Sequence, residues 1–226
     1  MIGIQKYAVI VAGGKGTRMG AAVPKQFLLL QGKPLLCYPI QAFADAIPGI
    51  RLILVLPPDQ LGSARTVLRS YLGNLDVTIV AGGETRYNSV QNGLKEVADD
   101  GIVFVHDGVR PLISIELIRR CYVRASEHGS AIPAIPVTES VRLDDLGVST
   151  PVNRELLRII QTPQTFRTEV ILPAFQQDYD PAFTDEATVV EAFGAKVYLV
   201  EGMRDNIKVT TPLDMIIADA LLKQRK

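Results

Sequence analysis

Several things are scarce in this 226-residue chain. It has no tryptophan, only two cysteines and two histidines, and no charge excess, with 24 basic side chains against 24 acidic ones. Each scarcity excludes a class of function. A balanced charge argues against a nucleic-acid reader or a membrane-surface protein, which carry a lopsided basic face. Cys37 and Cys121 stand far apart, and with His106 and His128 they give neither a CxxC nor a paired-histidine spacing, so a disulfide scaffold or a zinc site is not expected. No apolar run approaches the roughly 18 residues of a membrane span, and the first residues lack a signal peptide's charged start and cleavage site; a cytoplasmic protein is the expectation, without nucleic-acid or membrane partners. With 47% hydrophobic residues the chain can bury a full core, and its length suits one domain, residues 1–226.

What is present alternates. Short β-rich runs at 7–12, 51–57, 77–80 and 102–106 are separated by stretches of helical period, the rhythm of an α/β fold. Ile53-Leu54-Val55-Leu56 is apolar at consecutive positions, as a strand covered by helices on both faces requires, so the central sheet should be mostly parallel. Residues 87–98 put Val90, Leu94 and Val97 on one helical face. Thr211-Pro212-Leu213-Asp214 supplies a cap, a first-turn proline and an acid for a C-terminal helix. One segment departs from this rhythm: between Pro136 and Arg154 two polar alternating runs flank Asp144-Asp145-Leu146-Gly147, which predicts a protruding β-hairpin arm. Its apolar surface is too small for a core of its own, so it should lie on the body or on a second chain.

The most telling absence is local. Residues 1–44 contain no aspartate or glutamate, while Lys6, Lys15, Arg18, Lys25 and Lys33 all fall there. In a neutral chain this asymmetry marks a site for a polyanion such as a nucleoside triphosphate. The first strand runs into Ala12-Gly13-Gly14-Lys15-Gly16-Thr17-Arg18-Met19-Gly20, then Pro24-Lys25. Glycines let backbone N–H groups close around phosphate oxygens. The spacing is neither a Walker loop nor a dinucleotide fingerprint, since Gly-Lys-Ser/Thr is missing and Met19 takes the third glycine's place. Further on, Asp107 and Asp205 each follow an apolar strand, where open α/β sheets place ligands. By itself an aspartate after a strand is more often an ordinary turn residue. His106 reads as structural, because a phosphate nucleophile is already ionised at neutral pH and requires no base. Arg86 reads as possible support for its loop, and Thr184-Asp185-Glu186 as a helix cap.

The glycine-rich segment with Pro24-Lys25 resembles the signature loop of nucleotidyltransferases that activate sugars and polyols. His106-Asp107-Gly108-Val109-Arg110-Pro111, Thr162-Pro163-Gln164, Thr184-Asp185-Glu186 and Asp205-Asn206-Ile207-Lys208-Val209-Thr210 follow in the order seen in the 2-C-methyl-D-erythritol 4-phosphate cytidylyltransferase family, which the chain resembles from end to end. The ribitol-5-phosphate cytidylyltransferases share most of these motifs, and a non-catalytic nucleotide sensor is a more distant alternative. The resemblance implies a Rossmann-like nucleotidyltransferase fold and the joining of CTP to a polyol phosphate, with release of pyrophosphate, in the non-mevalonate isoprenoid route. It implies Lys25, Arg18 and Lys208 as catalytic residues. CTP would be held by Ala12, Gly13, Gly14, Lys15, Gly16, Gly83, Glu84, Ser89 and Asp107. The polyol phosphate would be held by Arg110, Ser140, Arg154, Thr162 and Thr184, the arm residues reaching across a homodimer. Mg²⁺ would sit on Asp107 and Asp205. The family commonly has threonine where Ser140 stands, which keeps the hydroxyl and loses a methyl.

Overall fold

A computed structural model describes residues 4–13, 23–98 and 100–225. The strands are β1 (Gln5–Val11), β2 (Leu29–Leu30), β3 (Lys33–Pro34), β4 (Arg51–Leu56), β5 (Val77–Ala81), β6 (Gly101–Asp107), β7 (Ser130–Pro136), β8 (Val141–Asp145), β9 (Val148–Val152), β10 (Arg158–Ile160), β11 (Gln164–Arg167) and β12 (Leu199–Glu201). The helices are α1 (Cys37–Ala46), α2 (Leu61–Leu72), α3 (Arg86–Leu94), α4 (Ile115–His128), α5 (Thr168–Ala174), α6 (Glu186–Ala192) and α7 (Pro212–Gln224).

The central sheet has the order β10-β7-β11-β6-β1-β4-β5, with β12 on β7. Strands β6, β1, β4 and β5 run parallel, and β11 and β10 enter antiparallel. The sheet is therefore mixed, with its parallel half where the unbroken apolar runs lie. Residues of one strand sort alternately to the two faces: Leu54 and Leu56 pack with α1, α2 and α4, while Ile53 and Val55 pack with α3, α5 and α6. This two-sided burial is the physical reason β4 carries no polar alternation. A smaller cluster of Leu30, Leu35, Leu112, Val209 and Ala218 seats α7.

The helix expected over 87–98 stops at Leu94, and two turns of backbone hydrogen bonding, Glu96 to Gly93 and Val97 to Leu94, replace its last residues. The chain must reverse there to enter β6, and Val97 still reaches the core. The C-terminal helix begins as its sequence requires, with a reciprocal capping box between Thr211 and Asp214. The arm forms a separate two-stranded sheet of β8 and β9, joined through Leu146 and Gly147, both at positive φ (48° and 90°). Paired positive φ values match the twist of a tight hairpin. Pro136 still belongs to β7, and Arg154 opens a 3-10 turn, so the hairpin proper is shorter than the segment 136–154. No helix among the described residues is long and apolar enough to cross a membrane.

Candidate active site

Strand β1 lies between β6 and β4, so connections leave it in opposite directions and a crevice opens beyond its C-terminal end. Three backbone bonds shape the crevice floor. Ala12 N–H donates to Val55 C=O (2.9 Å), Gly82 N–H to Leu56 C=O (2.7 Å) and Gly108 N–H to Val11 C=O (2.8 Å). The resulting cavity, about 200 Å³, is walled by Ala12 and Gly13 after β1, the Gly83–Arg86 turn, Ser89 on α3, Asp107 and Val109 after β6, Lys25 and Lys208. A second hollow continues it past Gly13, Gly83, Glu84 and Ser89 to the segment 57–60. Together they form a groove with cations at one end and backbone polar groups at the other.

The groove's middle is built by the start of α3. The Thr85 side chain caps the helix by accepting from Asn88 N–H (3.1 Å), and Ser89 Oγ accepts from Gly83 N–H (3.1 Å) while donating to Thr85 C=O (2.9 Å). Gly83 is required sterically: a Cβ there would lie 2.4 Å from Asn88 Cβ.

At the cationic end, Asp107 is buried, 6% exposed, and ringed by three positive charges. Its Oδ2 faces Lys208 Nζ (3.1 Å) and Arg110 Nε (3.2 Å), and its Oδ1 faces Arg86 Nη2 (3.4 Å). Burial pushes its carboxyl pKa upward, but Arg86, Lys208 and Arg110 together outweigh burial and hold it well below the usual carboxylate range. Lys208 arrives because Val209 N–H donates to Val109 C=O (2.9 Å), which pins its segment beside the β6 exit. Arg86 also makes a two-pronged ion pair with Glu186 at the start of α6. Burial raises the Glu186 pKa, with Arg86 opposing, and the two carboxylates raise that of Arg86 against its own desolvation.

His106 is fully buried, its ring edge against Phe43. Burial outweighs the pull of Asp107 and lowers its pKa to about 3, so the ring is neutral at physiological pH. Its Nδ1 lies 3.1 Å from Thr162 Oγ1, and its Nε2 3.4 Å from Arg110 C=O. The hydroxyl of Thr162 also accepts from Asp107 N–H (3.1 Å). The Arg110 carbonyl can only accept, so the ring proton sits on Nε2 and the Thr162 hydroxyl donates to Nδ1.

Of the residues expected from the sequence, Lys25, Lys208, Ala12, Gly13, Gly83, Glu84, Ser89 and Asp107 meet at this groove. Gly14, Lys15, Gly16 and Arg18 lie outside the described residues. Four other expected residues are engaged elsewhere among the described residues. The Thr162 hydroxyl is engaged by His106 and Asp107 inside the protein. Thr184 is exposed, with its N–H on Thr188 Oγ1 (3.1 Å), because Asp185 and not Thr184 caps α6. Arg110 holds Asp107 and the Asn206 carbonyl (2.8 Å) rather than facing the groove. Asp205 lies in another hollow, 3.4 Å from Arg225, because its short turn after β12 directs Lys208 and not Asp205 towards Asp107. Ser140 and Arg154 lie exposed on the arm's flanks, Arg154 donating to Thr138 C=O (2.8 Å), away from the groove of their own chain. The sequence reading missed Arg86 as a groove residue; its signal was a charged residue directly after an N-capping threonine.

A doubly wound sheet with a cation-ringed carboxylate at its switch point defines a nucleotide-binding α/β protein of the nucleotidyltransferase type. The profile of the 2-C-methyl-D-erythritol 4-phosphate cytidylyltransferases matches residues 6–224. The chain belongs to that family of enzymes. It is 46% identical over 220 residues to the 2-C-methyl-D-erythritol 4-phosphate cytidylyltransferase of Bacteroides thetaiotaomicron, covering 97% of this chain and 100% of the relative. Identity to the Porphyromonas gingivalis protein of the same name is also 46%, over 96% and 98% of the two chains. Among solved structures, the 4-diphosphocytidyl-2C-methyl-D-erythritol synthase of Anaerococcus prevotii superimposes with a TM-score of 0.82 at 29% identity, over 97% and 96% of the chains. The Thermus thermophilus cytidylyltransferase gives 0.74 at 31%, over 95% and 98%.

Proposed function

We propose that the protein joins CTP to 2-C-methyl-D-erythritol 4-phosphate, giving 4-diphosphocytidyl-2-C-methyl-D-erythritol and pyrophosphate. The observation that carries this reading is the family match over nearly the whole chain, supported by a groove that Lys25, Asp107 and Lys208 line together. An oxygen of the polyol phosphate attacks the α-phosphorus of CTP, a new P–O bond forms, and the bond to the β-phosphate breaks with its electrons leaving on pyrophosphate. The nucleophile is already anionic, so no general base is required, and a buried neutral His106 is consistent with that. Catalysis then rests on positioning and charge. Among the described residues Lys25, Lys208 and Arg86 are the cations that line the groove, and the two lysines would stabilise charge gathering on the phosphates. Lys15 and Arg18 are assigned to the same work from the family's loop. The far end, where Gly83 and Glu84 present backbone groups, would receive the cytosine.

Mg²⁺ fits one part of this donor set. Asp107 offers a hard carboxylate whose Oδ1, among the described residues, has the 3.4 Å contact with Arg86, and Mg²⁺ in nucleotide sites commonly takes one or two carboxylates and completes its shell with phosphate and water oxygens. Among the described residues no group of three or more metal-ligating side chains exists. Asp107 is thus the residue that would hold the ion, whose chemistry is to neutralise triphosphate charge.

The arm supports assembly as a homodimer. Leu143, Leu146, Val148 and Leu156 are exposed on or beside a hairpin that has no core of its own, and a twofold partner would cover them. Ser140 and Arg154 would then serve the partner's groove. Pyrophosphate release with CTP and methylerythritol phosphate, run beside ribitol 5-phosphate, tests the reaction: release only with ribitol phosphate moves the protein to the other substrate, and release with neither rejects the reading. Mixing inactive Lys25→Ala and Arg154→Ala chains tests the shared site. With random exchange about half the dimers are mixed, each with one intact site, so roughly a quarter of wild-type activity should return. No recovery after demonstrated exchange rejects the arm's role in trans.

A further inference from the structure

Glu186 is 1% exposed, and neither the reaction nor the fold requires a carboxylate there. A buried ion pair is costly to desolvate, and an apolar pair of similar volume serves stability as well or better. Its geometry is specific. Both Glu186 oxygens engage Arg86, Nη1 to Oε1 and Nη2 to Oε2 (3.1 Å), and the same Nη2 reaches Asp107 Oδ1 at the longer 3.4 Å. One guanidinium therefore spans a deep carboxylate and the carboxylate of the groove. Glu186 cannot drift, because Gln164 clamps both neighbours: Gln164 Nε2 donates to Asp185 Oδ2 (2.7 Å), and Ala187 N–H donates to Gln164 Oε1 (2.7 Å). The chain of support runs from β11 through α6 to the first residue of α3.

We infer that Glu186 is a positioning residue that holds Arg86 in a single two-pronged pose, so that the guanidinium lines the groove and keeps its 3.4 Å contact with Asp107 without closing further on it. The inference rests on the reaction proposed above. Without Glu186, the cluster of Asp107, Arg86, Arg110 and Lys208 keeps three cations against one carboxylate, and Arg86 loses its stronger anchor. It then closes on Asp107 Oδ1 or swings into the groove. Either movement displaces charge where the triphosphate binds. Misplacement on the scale of an ångström costs up to about 10²-fold in rate.

The test uses the full-length protein carrying Glu186→Gln, Arg86→Lys, or both. Lysine keeps the charge and loses the fork, so it also probes the pose where the glutamine variant folds poorly. CTP affinity by titration calorimetry and kcat for pyrophosphate release are both measured, with melting curves to verify folding. Each single variant should lower kcat by about 10-fold or more with a smaller change in the KM for the polyol phosphate, and each should weaken CTP binding. The double variant should fall no further than the worse single, within about 2-fold, because the two residues act as one unit. Folded Glu186→Gln protein with wild-type kcat and CTP affinity overturns the inference, as do single effects that multiply in the double variant. Should Glu186→Gln not fold, Arg86→Lys with wild-type kcat and CTP affinity overturns it equally. Wild-type protein that binds CTP but releases no pyrophosphate refutes the reaction, and the calorimetry still judges the Glu186–Arg86 pair.

Discussion

Replacing Thr162 by valine keeps the shape of the side chain and removes one hydroxyl. That hydroxyl accepts the Asp107 N–H and donates to His106 Nδ1, both at 3.1 Å, and all three residues are buried. Valine would orphan two buried polar groups at once. Each such group costs about 1–3 kcal/mol, and the added methyl returns a fraction of that, so a loss of about 2–4 kcal/mol is expected. For a chain of this size 1 kcal/mol moves the melting temperature by roughly 2–4 °C, giving a drop of roughly 4–16 °C. Urea unfolding monitored by circular dichroism measures the free energy, and Thr162→Ser should recover most of it. Activity should fall too, because the Asp107 backbone loses its tether. If the hydroxyl instead served the polyol phosphate, stability would stay within about 0.5 kcal/mol of wild type and only the KM for that substrate would rise. That outcome would refute the inward-facing assignment.

Other outcomes follow from the same geometry. His106 has a folded pKa lowered to about 3 against an ordinary 6.5, so its contribution to stability is complete above pH 6.5 and is lost as pH falls towards 3. Urea midpoints should show a loss of about 2 kcal/mol between pH 7 and 5, and a flat profile there would contradict the buried neutral ring. Gly83→Ala forces a Cβ to 2.4 Å from Asn88 Cβ, so the turn or the start of α3 must shift; stability should fall by about 1–3 kcal/mol, and calorimetry should show weaker CTP binding, whereas unchanged affinity would remove this turn from the nucleotide site. Cys37 and Cys121 are buried, with thiols pushed up to about 11 and about 12. A disulfide exchange reagent should therefore titrate them only after unfolding, and rapid reaction of either in the native protein would refute the burial.

Local chemistry made much of this protein legible in the sequence. Four consecutive apolar residues at 53–56 imply a strand covered on both faces, because side chains alternate and neither direction tolerates charge. The acid-free first 44 residues pointed to the end of β1, where Lys25 lines the groove, and Asp107 could be placed at a strand exit because strand ends in open sheets face the ligand crevice. The turn from Leu146 to Gly147 and the cap at Thr211 were readable for the same reason, since each depends on residues within one turn of chain. Direction and partnership were not readable. Thr162 and Asp107 are 55 residues apart, and Arg86 and Glu186 are 100 apart. Nothing local records that one hydroxyl turns inward or that one guanidinium bridges two carboxylates. Asp205 and Lys208 sit three positions apart in one motif, yet only the lysine reaches Asp107, because the bond from Val209 to Val109 orients that segment. Residue type set which groups could act, whereas strand order and the register of long-range hydrogen bonds decided which face the groove and which hold others in place.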